Sequence, residues 1–319
     1  MSETMRAMVY RKYGGPERLA LETVARPAPA PGQVLVRVVA SSVNPVDWKM
    51  ASGAIRLYMP AKFPCVPGFD LAGEVVELGP GVTAFAPGAR VHARIAKPGA
   101  AAEYAVADVD QTATMPDGMS FELGAALPLA GMTALQGLRD RGGLPMTGAT
   151  QRVLIVGASG GVGHLAVQIA AAAGAEVTGV CSSRNVNFVS RIGANTVIDY
   201  TRPDPYRNTG PFELVYDCVA GDPAPYLGLV KPGGRYASCM PGPKTFLRML
   251  ANPVSRRKVY PVMLKGSAAD LAFLDQLFDA KKLEPAIDGR ATLEELSTAW
   301  KRSMTGRATG KIIIEVAPS

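Results

Sequence analysis

The chain has 319 residues, of which 48% are hydrophobic and 19% are charged, and its formal net charge is +7. This length allows two domains with separate cores, and the four scattered cysteines indicate reduced thiols, which excludes a disulfide-stapled scaffold. No apolar run reaches the roughly 18 to 20 residues that cross a bilayer, so we expect no membrane span and, by default, a cytoplasmic protein. The basic residues are mostly dispersed among acids without a nucleic-acid motif, so we expect no nucleic-acid partner.

The first 120 residues have the sequence pattern of a β-rich domain. Short alternating or apolar runs, separated by Pro and Gly turns, predict strands over 5–10, 33–41, 73–78, 90–95 and 102–106. From Phe121 the pattern changes to helix and then to alternating strand and helix.

A glycine turn follows the apolar run 153–156 and precedes a helical pattern over 164–173. Its small residues Ala158, Gly160 and Gly163 have the Ala-x-Gly-x-x-Gly spacing. Such residues permit a tight turn, close approach of the backbone to a pyrophosphate, and close packing of helix on strand. Strands predicted at 176–180 and 196–200 complete a βαβαβ unit, so we interpret the turn as a dinucleotide phosphate site.

The end of the second strand indicates which dinucleotide is bound. NAD sites have an acid about 20 residues past the glycines, but residues 181–185 read Cys-Ser-Ser-Arg-Asn. Hydroxyls and a guanidinium suit the 2′-phosphate of NADPH, because Arg donates charge-assisted hydrogen bonds to phosphate oxygens. We therefore predict NADPH as the cofactor, with Ser182 and Arg184 at the 2′-phosphate. The alternative is that Arg184 only begins a solvated helix.

Further strands at 213–219, 234–240 and 259–264 predict a doubly wound parallel sheet of about six strands. The tail predicts helices over 268–280 and 293–303 and a strand over 311–316. The fold class is therefore α/β, with a β-rich part and a parallel-sheet part.

Basic charge is concentrated only in residues 244–258. This segment could meet an acidic ligand or a membrane surface, or it could be a solvated helical face. Apolar side chains interleaved with the charges could line a large apolar substrate pocket or form an oligomer contact such as a homodimer: Phe246, Leu247, Met249 and Leu250.

Five segments, in order along nearly the whole chain, resemble the medium-chain dehydrogenase/reductase superfamily. They are residues 42–47 (Ser-Val-Asn-Pro-Val-Asp), 66–75, 125–134, the glycine turn and 308–312. Within the superfamily the chain is similar to the zinc-independent quinone oxidoreductase branch, in which relatives reduce the double bond of α,β-unsaturated carbonyls. The resemblance implies a GroES-like catalytic domain (1–122, completed by 265–319) and a Rossmann NADP-binding domain (123–264), with the active site between them.

The resemblance also implies that no metal takes part. Zinc alcohol dehydrogenases of the superfamily have Cys where Asn44 stands, His where Phe69 stands, and a further Cys within the stretch 127–131. The two histidines, His92 and His164, are not near a Cys in the sequence, and we interpret both as structural.

The site residues follow from the same resemblance, position by position. The catalytic candidates are Asn44 and Tyr58; Tyr58 either donates a hydrogen bond or proton to the substrate or only forms an aromatic wall. Asn44 and Asp47 match a turn beside the nicotinamide ribose. A Lys common in the branch is replaced by Asn185. The remaining cofactor-binding candidates are Thr133, Ser159, Gly160, Gly161, Val162, Gly163, Ser182, Arg184, Tyr200 and Lys311.

The expected function is NADPH-dependent reduction of an enone or quinone, a small-molecule substrate. Hydride transfer to the β-carbon places negative charge on the carbonyl oxygen, which requires hydrogen-bond donors and then a proton at the α-carbon. The alternative is an NADPH-binding protein without redox turnover, crystallin-like or regulatory.

Overall fold

The structure is a computed structural model that describes residues 3–219 and 222–317. The strands of the described residues are β1 Thr4–Val9, β2 Ala20–Ala25, β3 Gln33–Val43, β4 Asp70–Leu78, β5 Arg90–Arg94, β6 Tyr104–Asp108, β7 Thr112–Thr114, β8 Arg152–Val156, β9 Glu176–Cys181, β10 Thr196–Asp199, β11 Phe212–Asp217, β12 Val230–Ser238, β13 Lys258–Pro261, β14 Ile287–Thr292 and β15 Lys311–Glu315. The α-helices are α1 Pro45–Ala51, α2 Phe121–Ala126, α3 Pro128–Gln136, α4 Gly163–Ala173, α5 Val186–Arg191, α6 Ala224–Leu227, α7 Pro243–Leu250, α8 Ala268–Asp279 and α9 Leu296–Met304.

The described residues divide into two compact units. Unit 1 contains residues 3–129, 266–276 and 285–317, and unit 2 contains residues 130–219, 222–265 and 277–284.

Unit 1 is built on a seven-stranded sheet. Its strand order is β14-β15-β3-β4-β5-β7, and β6 also pairs with β3, while β1 and β2 form a separate antiparallel pair. The predicted β-rich fold of this part is confirmed. Strands β2, β7 and β14 were not predicted, because β7 has only three residues and the side chains of β2 and β14 are mostly exposed or half-buried and lack an apolar alternation.

Unit 2 is a six-stranded, entirely parallel sheet in the order β10-β9-β8-β11-β12-β13. The residues Val153 to Val156 of β8 are buried, as expected for a central parallel strand that is covered on both faces. The chain winds outward from β8 in one direction through β9 and β10, and then from β11 in the other. The predicted doubly wound sheet is confirmed, and its order reverses between β8 and β11.

Two short segments belong to the other unit from the one that the predicted domain bounds assign them to. Helix α2, capped by the Ser120 hydroxyl that accepts from the Leu123 N–H at 3.3 Å, packs on β3 and β4 and so belongs to unit 1. Residues 277–284 belong to unit 2, where the Gln168 side chain bonds both the N–H and the carbonyl of Glu284, at 2.9 and 3.0 Å. Tertiary contacts of this kind carry no local sequence signal.

Candidate functional site

The loop after β8 lies where the strand order of the unit 2 sheet reverses, at the carboxyl edge where open parallel sheets bind ligands. Gly157 begins the loop with a φ of +77°, a left-handed conformation that glycine adopts without strain. A Cβ atom at Gly163 would lie 2.0 Å from the Gly157 carbonyl oxygen. The start of α4 therefore packs on the end of β8 at a distance that only glycine permits.

The outer side of the same turn is open at Gly160. The Gly160 N–H donates to the Gly157 carbonyl at 2.9 Å, and a Cβ atom at Gly160 would have that oxygen, at 3.4 Å, as its nearest described neighbour. A side chain at this position would fill space that a pyrophosphate needs, so the residues present fit a dinucleotide. All five residues predicted for the phosphate site lie in this turn: Ser159, Gly160, Gly161, Val162 and Gly163.

The predicted 2′-phosphate residues lie directly after β9. Ser182 is half-buried and precedes a short 3-10 turn, Ser183–Asn185, in which the side chain of Arg184 is exposed. Asn185, which sequence reasoning noted only as a replaced Lys, donates from Nδ2 to Ser159 Oγ at 2.8 Å. This hydrogen bond ties the segment that carries Arg184 to the glycine turn.

Sequence reasoning missed a carboxylate that orders this segment. Asp199, the last residue of β10, accepts hydrogen bonds from the Ser183 and Thr201 hydroxyls, both at 2.7 Å. These bonds lower the pKa of Asp199 to about 2. The sequence could have indicated Asp199, because it stands at the carboxyl end of a predicted strand. Tyr200 follows it, with 56% of its surface exposed.

Two other residues of unit 2, Thr133 and His164, are buried. Thr133 of α3 accepts, at its backbone carbonyl, a hydrogen bond of 2.8 Å from the Tyr216 hydroxyl. His164 Nδ1 of α4 lies 2.8 Å from the Gly160 carbonyl, to which it donates. The His164 contact stabilises the glycine turn, which agrees with the structural interpretation of this histidine.

Unit 1 contains a buried polar group that we call the Lys311 cluster, defined as Ser42, Asn44, Asp70 and Lys311. Lys311 Nζ donates to Asn44 Oδ1 at 2.6 Å and lies 3.5 Å from Asp70 Oδ2. Asp70 Oδ2 also accepts from Asn44 Nδ2 and Ser42 Oγ, both at 2.8 Å. The register of β15 with β3, which pairs Ile312 with Val43, brings Lys311 to this place.

Within the Lys311 cluster, both the oxygen and the nitrogen of the Asn44 side-chain amide are hydrogen-bonded. Lys311 and Asn44 were predicted as site residues, whereas Ser42 and Asp70 were missed. The predicted strand began at residue 73, whereas β4 begins at Asp70. The side chain of Asp70 is fully buried. Burial lowers the pKa of Lys311, and the charge of Asp70 opposes that shift.

Asp47 lies in the same buried region, on the first turn of α1. Its Oδ2 accepts from the Asn44 N–H at 2.7 Å, whereas its buried Oδ1 has no hydrogen-bond partner in the described chain. Burial raises the pKa of Asp47 to about 7. The carboxyl group therefore holds its proton up to nearly neutral pH.

We expect the raised pKa of Asp47 to make the protein less stable as pH rises. An unfolded Asp releases its proton near pH 3.9, but the folded chain keeps this proton until about pH 7, so folding is linked to proton uptake between these values. The free energy of unfolding contributed by this group should fall from about pH 4 to about pH 7 and then level off. Urea unfolding of Asp47→Asn across this range should show a shallower decline than the wild type; an unchanged decline would contradict the assignment.

Tyr58 lies in the turn region after α1, with 79% of its surface exposed, and its N–H donates to the Ile55 carbonyl at 2.9 Å. Its hydroxyl has no hydrogen-bond partner in the described chain, so it is available to a ligand. His92 is fully buried in unit 1, with Nδ1 3.2 Å from the Gly124 carbonyl and Nε2 3.1 Å from Asp275 Oδ2. Both ring nitrogens are therefore occupied by the protein itself.

Within residues 3–219 and 222–317, no group of three or more His, Cys, Asp or Glu side chains is placed to hold a metal ion. Asn44 and Phe69, which the resemblance places at two zinc-ligand positions, are both buried, and neither side chain is of a type that commonly binds zinc.

The doubly wound sheet with its glycine turn, together with the β-rich unit, defines a dinucleotide-binding enzyme class. Residues 30–117 match the alcohol dehydrogenase GroES-like domain, and residues 192–314 match the zinc-binding dehydrogenase family. The chain is 39% identical to the chloroplast envelope quinone oxidoreductase homolog of Arabidopsis thaliana, covering 98% of each chain. It is 32% identical to the 2-methylene-furan-3-one reductase of Solanum lycopersicum, covering 98% of this chain and 80% of the relative.

Among solved structures, the quinone oxidoreductase of Coxiella burnetii superposes with a TM-score of 0.90 at 30% identity, covering 99% of this chain and 100% of the other. The chain belongs to the medium-chain dehydrogenase/reductase superfamily, whose members are oxidoreductases that bind nicotinamide cofactors. The family predicted from sequence is thereby confirmed.

None of the helices in the described ranges combines the length and apolar character needed to cross a bilayer. The expected cytoplasmic location is not supported by the comparisons, because the names of similar plant proteins place them in the chloroplast.

Proposed function

We propose that the protein is an NADPH-dependent, zinc-independent reductase of α,β-unsaturated carbonyls or quinones. The observation that carries the cofactor part is the segment after β9, where Ser182 and an exposed Arg184 stand in place of an acid and are tied through Asn185 to the glycine turn. The relative whose name denotes a methylene-furanone reductase supports an enone as substrate class.

When bound, NADPH supplies a hydride to the β-carbon of the substrate. The backbone N–H groups of the glycine turn hold the pyrophosphate, and Ser182 and Arg184 hold the 2′-phosphate. The proposal keeps three further residues as cofactor-binding candidates: Thr133, Tyr200 and Lys311. Asn44 acts as a positioning residue, because its amide is held at both ends by Asp70 and Lys311.

The exposed phenol of Tyr58 is the proposed hydrogen-bond donor to the carbonyl oxygen of the substrate, where negative charge develops. Asp47, whose carboxyl group stays protonated up to about pH 7, remains in the proposal as a residue on the ribose side of the cofactor. The first test is NADPH oxidation by the purified protein with a panel of enones and quinones. Tight NADPH binding without turnover of any member would instead support a cofactor-binding protein.

We expect Arg184→Ala to weaken NADPH binding by about 1.5 to 3 kcal/mol, the scale of a hydrogen bond to a charged group. NADH lacks the 2′-phosphate, so its affinity should change little. The measurement is a fluorescence titration of both cofactors. Arg191→Ala, at an exposed arginine of the same unit, is the matched control. Equal losses for both cofactors would contradict the assignment of Arg184.

Conjugate reduction predicts where each hydrogen goes. Deuterium from labelled NADPH should appear at the β-carbon of a simple enone, and solvent deuterium should appear at the α-carbon. Tyr58→Phe should lower kcat by about 100-fold, the lower end for loss of one hydrogen-bond donor to a developing oxyanion, because water can replace the phenol in part. The affinity for NADPH should stay constant in this variant.

Mass and NMR analysis of the product decides between the possible reactions. An allylic alcohol with deuterium on the former carbonyl carbon would show carbonyl reduction instead. Undiminished turnover of Tyr58→Phe would leave Tyr58 as a pocket wall only.

A further inference from the structure

Unit 2 contains a cavity of about 320 Å³ that neither the glycine turn nor the proposed reaction uses. It lies between α6 and the segment 251–257 after α7, and Val259 of β13 contributes to its lining. Because 251–257 precedes β13, the cavity lies toward the amino edge of the parallel sheet. The glycine turn follows β8 at the carboxyl edge, so the two are separate sites within the unit.

The lining of the cavity is strongly basic. Arg248, Arg256 and Arg257 contribute to it, and none of the described lining residues is acidic. None of the three guanidinium groups forms an ion pair within the described chain. Asp222, whose charge acts on Arg248, is already bonded to Lys244 at 2.5 Å. The cavity therefore concentrates positive charge from three guanidinium groups that have no ion-pair partner within the described chain.

Backbone and side-chain hydrogen bonds fix the segment that carries these charges. Asn252 bonds both the N–H and the carbonyl of Val259, each at 2.8 Å. The Arg256 carbonyl accepts from the Gly233 N–H at 2.6 Å, and Arg257 Nε donates to the Val230 carbonyl at 2.6 Å. Arg257 therefore keeps its terminal nitrogens for another acceptor. A segment held in this way loses little conformational freedom when a ligand binds.

We propose that this cavity binds the phosphate group of an organic phosphate. Guanidinium groups offer planar, charge-assisted donors that match phosphate oxygens, and three of them outweigh the two charges of a phosphate monoester. Leu227 and Val259 line the cavity beside the arginines and would contact the carbon chain next to the phosphate. The volume is at the lower end of the range for small-molecule pockets, which suits a short ligand or a headgroup.

The phosphate has two possible sources, a soluble ester or a lipid headgroup. Leu247, Leu250 and Val254, on α7 and the turn after it, are 69%, 72% and 89% exposed. Apolar side chains next to basic ones are typical of a surface that meets anionic lipid. Both sources share the same recognition chemistry, a phosphate group held by guanidinium donors.

The test is calorimetric titration of the full-length protein with hexyl phosphate, in saturating NADP⁺ so that the glycine turn cannot take the probe. Co-sedimentation with phosphatidylglycerol vesicles, using phosphatidylcholine vesicles as reference, tests the lipid source. The Arg248→Gln/Arg256→Gln double variant removes two donors whose side chains the structure gives no other role. Arg191→Gln is the matched control, and circular dichroism checks that each variant is folded.

Wild type and Arg191→Gln should bind hexyl phosphate, and the double variant should bind it about tenfold more weakly or worse. Binding to phosphatidylglycerol vesicles alone, lost in the double variant and kept in the control, also supports the phosphate site and assigns its source to lipid. Equal affinity of the wild type and the double variant for the probe, or no binding of either probe, would overturn the proposal. Because NADPH oxidation is not measured, failure of the reductase proposal would leave this result unaffected.

Discussion

Replacing Lys311 by methionine is expected to lower the free energy of unfolding by about 3 to 5 kcal/mol, the cost of leaving one member of a buried ion pair without its partner. Lys311 is 3% exposed and Asp70 is fully buried. Methionine fills a similar volume, but it leaves the Asp70 charge uncompensated and removes the donor to Asn44 Oδ1. Urea unfolding followed by circular dichroism measures the loss. Lys12→Met, at an exposed lysine of the same unit, should change stability by less than about 0.5 kcal/mol.

A double-mutant cycle with Asp70→Asn tests whether the Lys311 cluster acts as a unit. If Asp70 and Lys311 compensate one another, the loss in Lys311→Met/Asp70→Asn should be clearly smaller than the sum of the two single losses. Additive losses, or a single loss for Lys311→Met no larger than that of Lys12→Met, would show that the pair does not stabilise unit 1.

Alanine at Gly163 is expected to destabilise the fold, whereas alanine at Gly160 is expected to weaken cofactor binding with little change in stability. The new Cβ at Gly163 would lie 2.0 Å from a backbone oxygen, so the start of α4 must move, at a cost of about 1 to 3 kcal/mol in stability. At Gly160 the nearest described atom is 3.4 Å away, and stability should change by less than about 1 kcal/mol. The methyl group there occupies pyrophosphate space, so Gly160→Ala should lose dinucleotide affinity while it remains folded.

The two glycine variants control for one another because they alter the same turn by the same methyl group. Thermal unfolding without cofactor, together with an NADPH titration, measures both effects. Full NADPH affinity in Gly160→Ala would show that the dinucleotide does not approach the turn as proposed.

The part of the proposed site that local sequence pattern could predict lies on contiguous residues. The turn from Gly157 to Gly163 combines a buried strand, a fixed glycine spacing and a helix within about a dozen positions, so local pattern was sufficient. The residues after β9 were predicted for the same reason. Asp199 was missed although it ends a predicted strand, because its role depends on the hydroxyls of Ser183 and Thr201 folding back on it.

The Lys311 cluster could not be derived from local pattern. Lys311 and Asn44 are far apart in the chain and meet only because β15 pairs with β3, a register that neither strand encodes alone. Family resemblance supplied these two residues as separate positions, without the contact between them. A signal for Asp70 did exist, since an acid at the start of the apolar run Asp70–Leu78 must find a partner if the strand is buried.

The discontinuity of unit 1 has a consequence for synthesis on the ribosome. Residues 3–129 emerge early, but β15, which carries Lys311, leaves the ribosome only after all of unit 2 has been made. Because synthesis adds about 5 to 20 residues per second, the edge of β3 stays without β15 for on the order of ten seconds or more. During that interval β3 offers unpaired backbone groups to any other strand, which is a known route to aggregation. Nascent chains arrested before Lys311 should therefore depend more on chaperones than the released protein does.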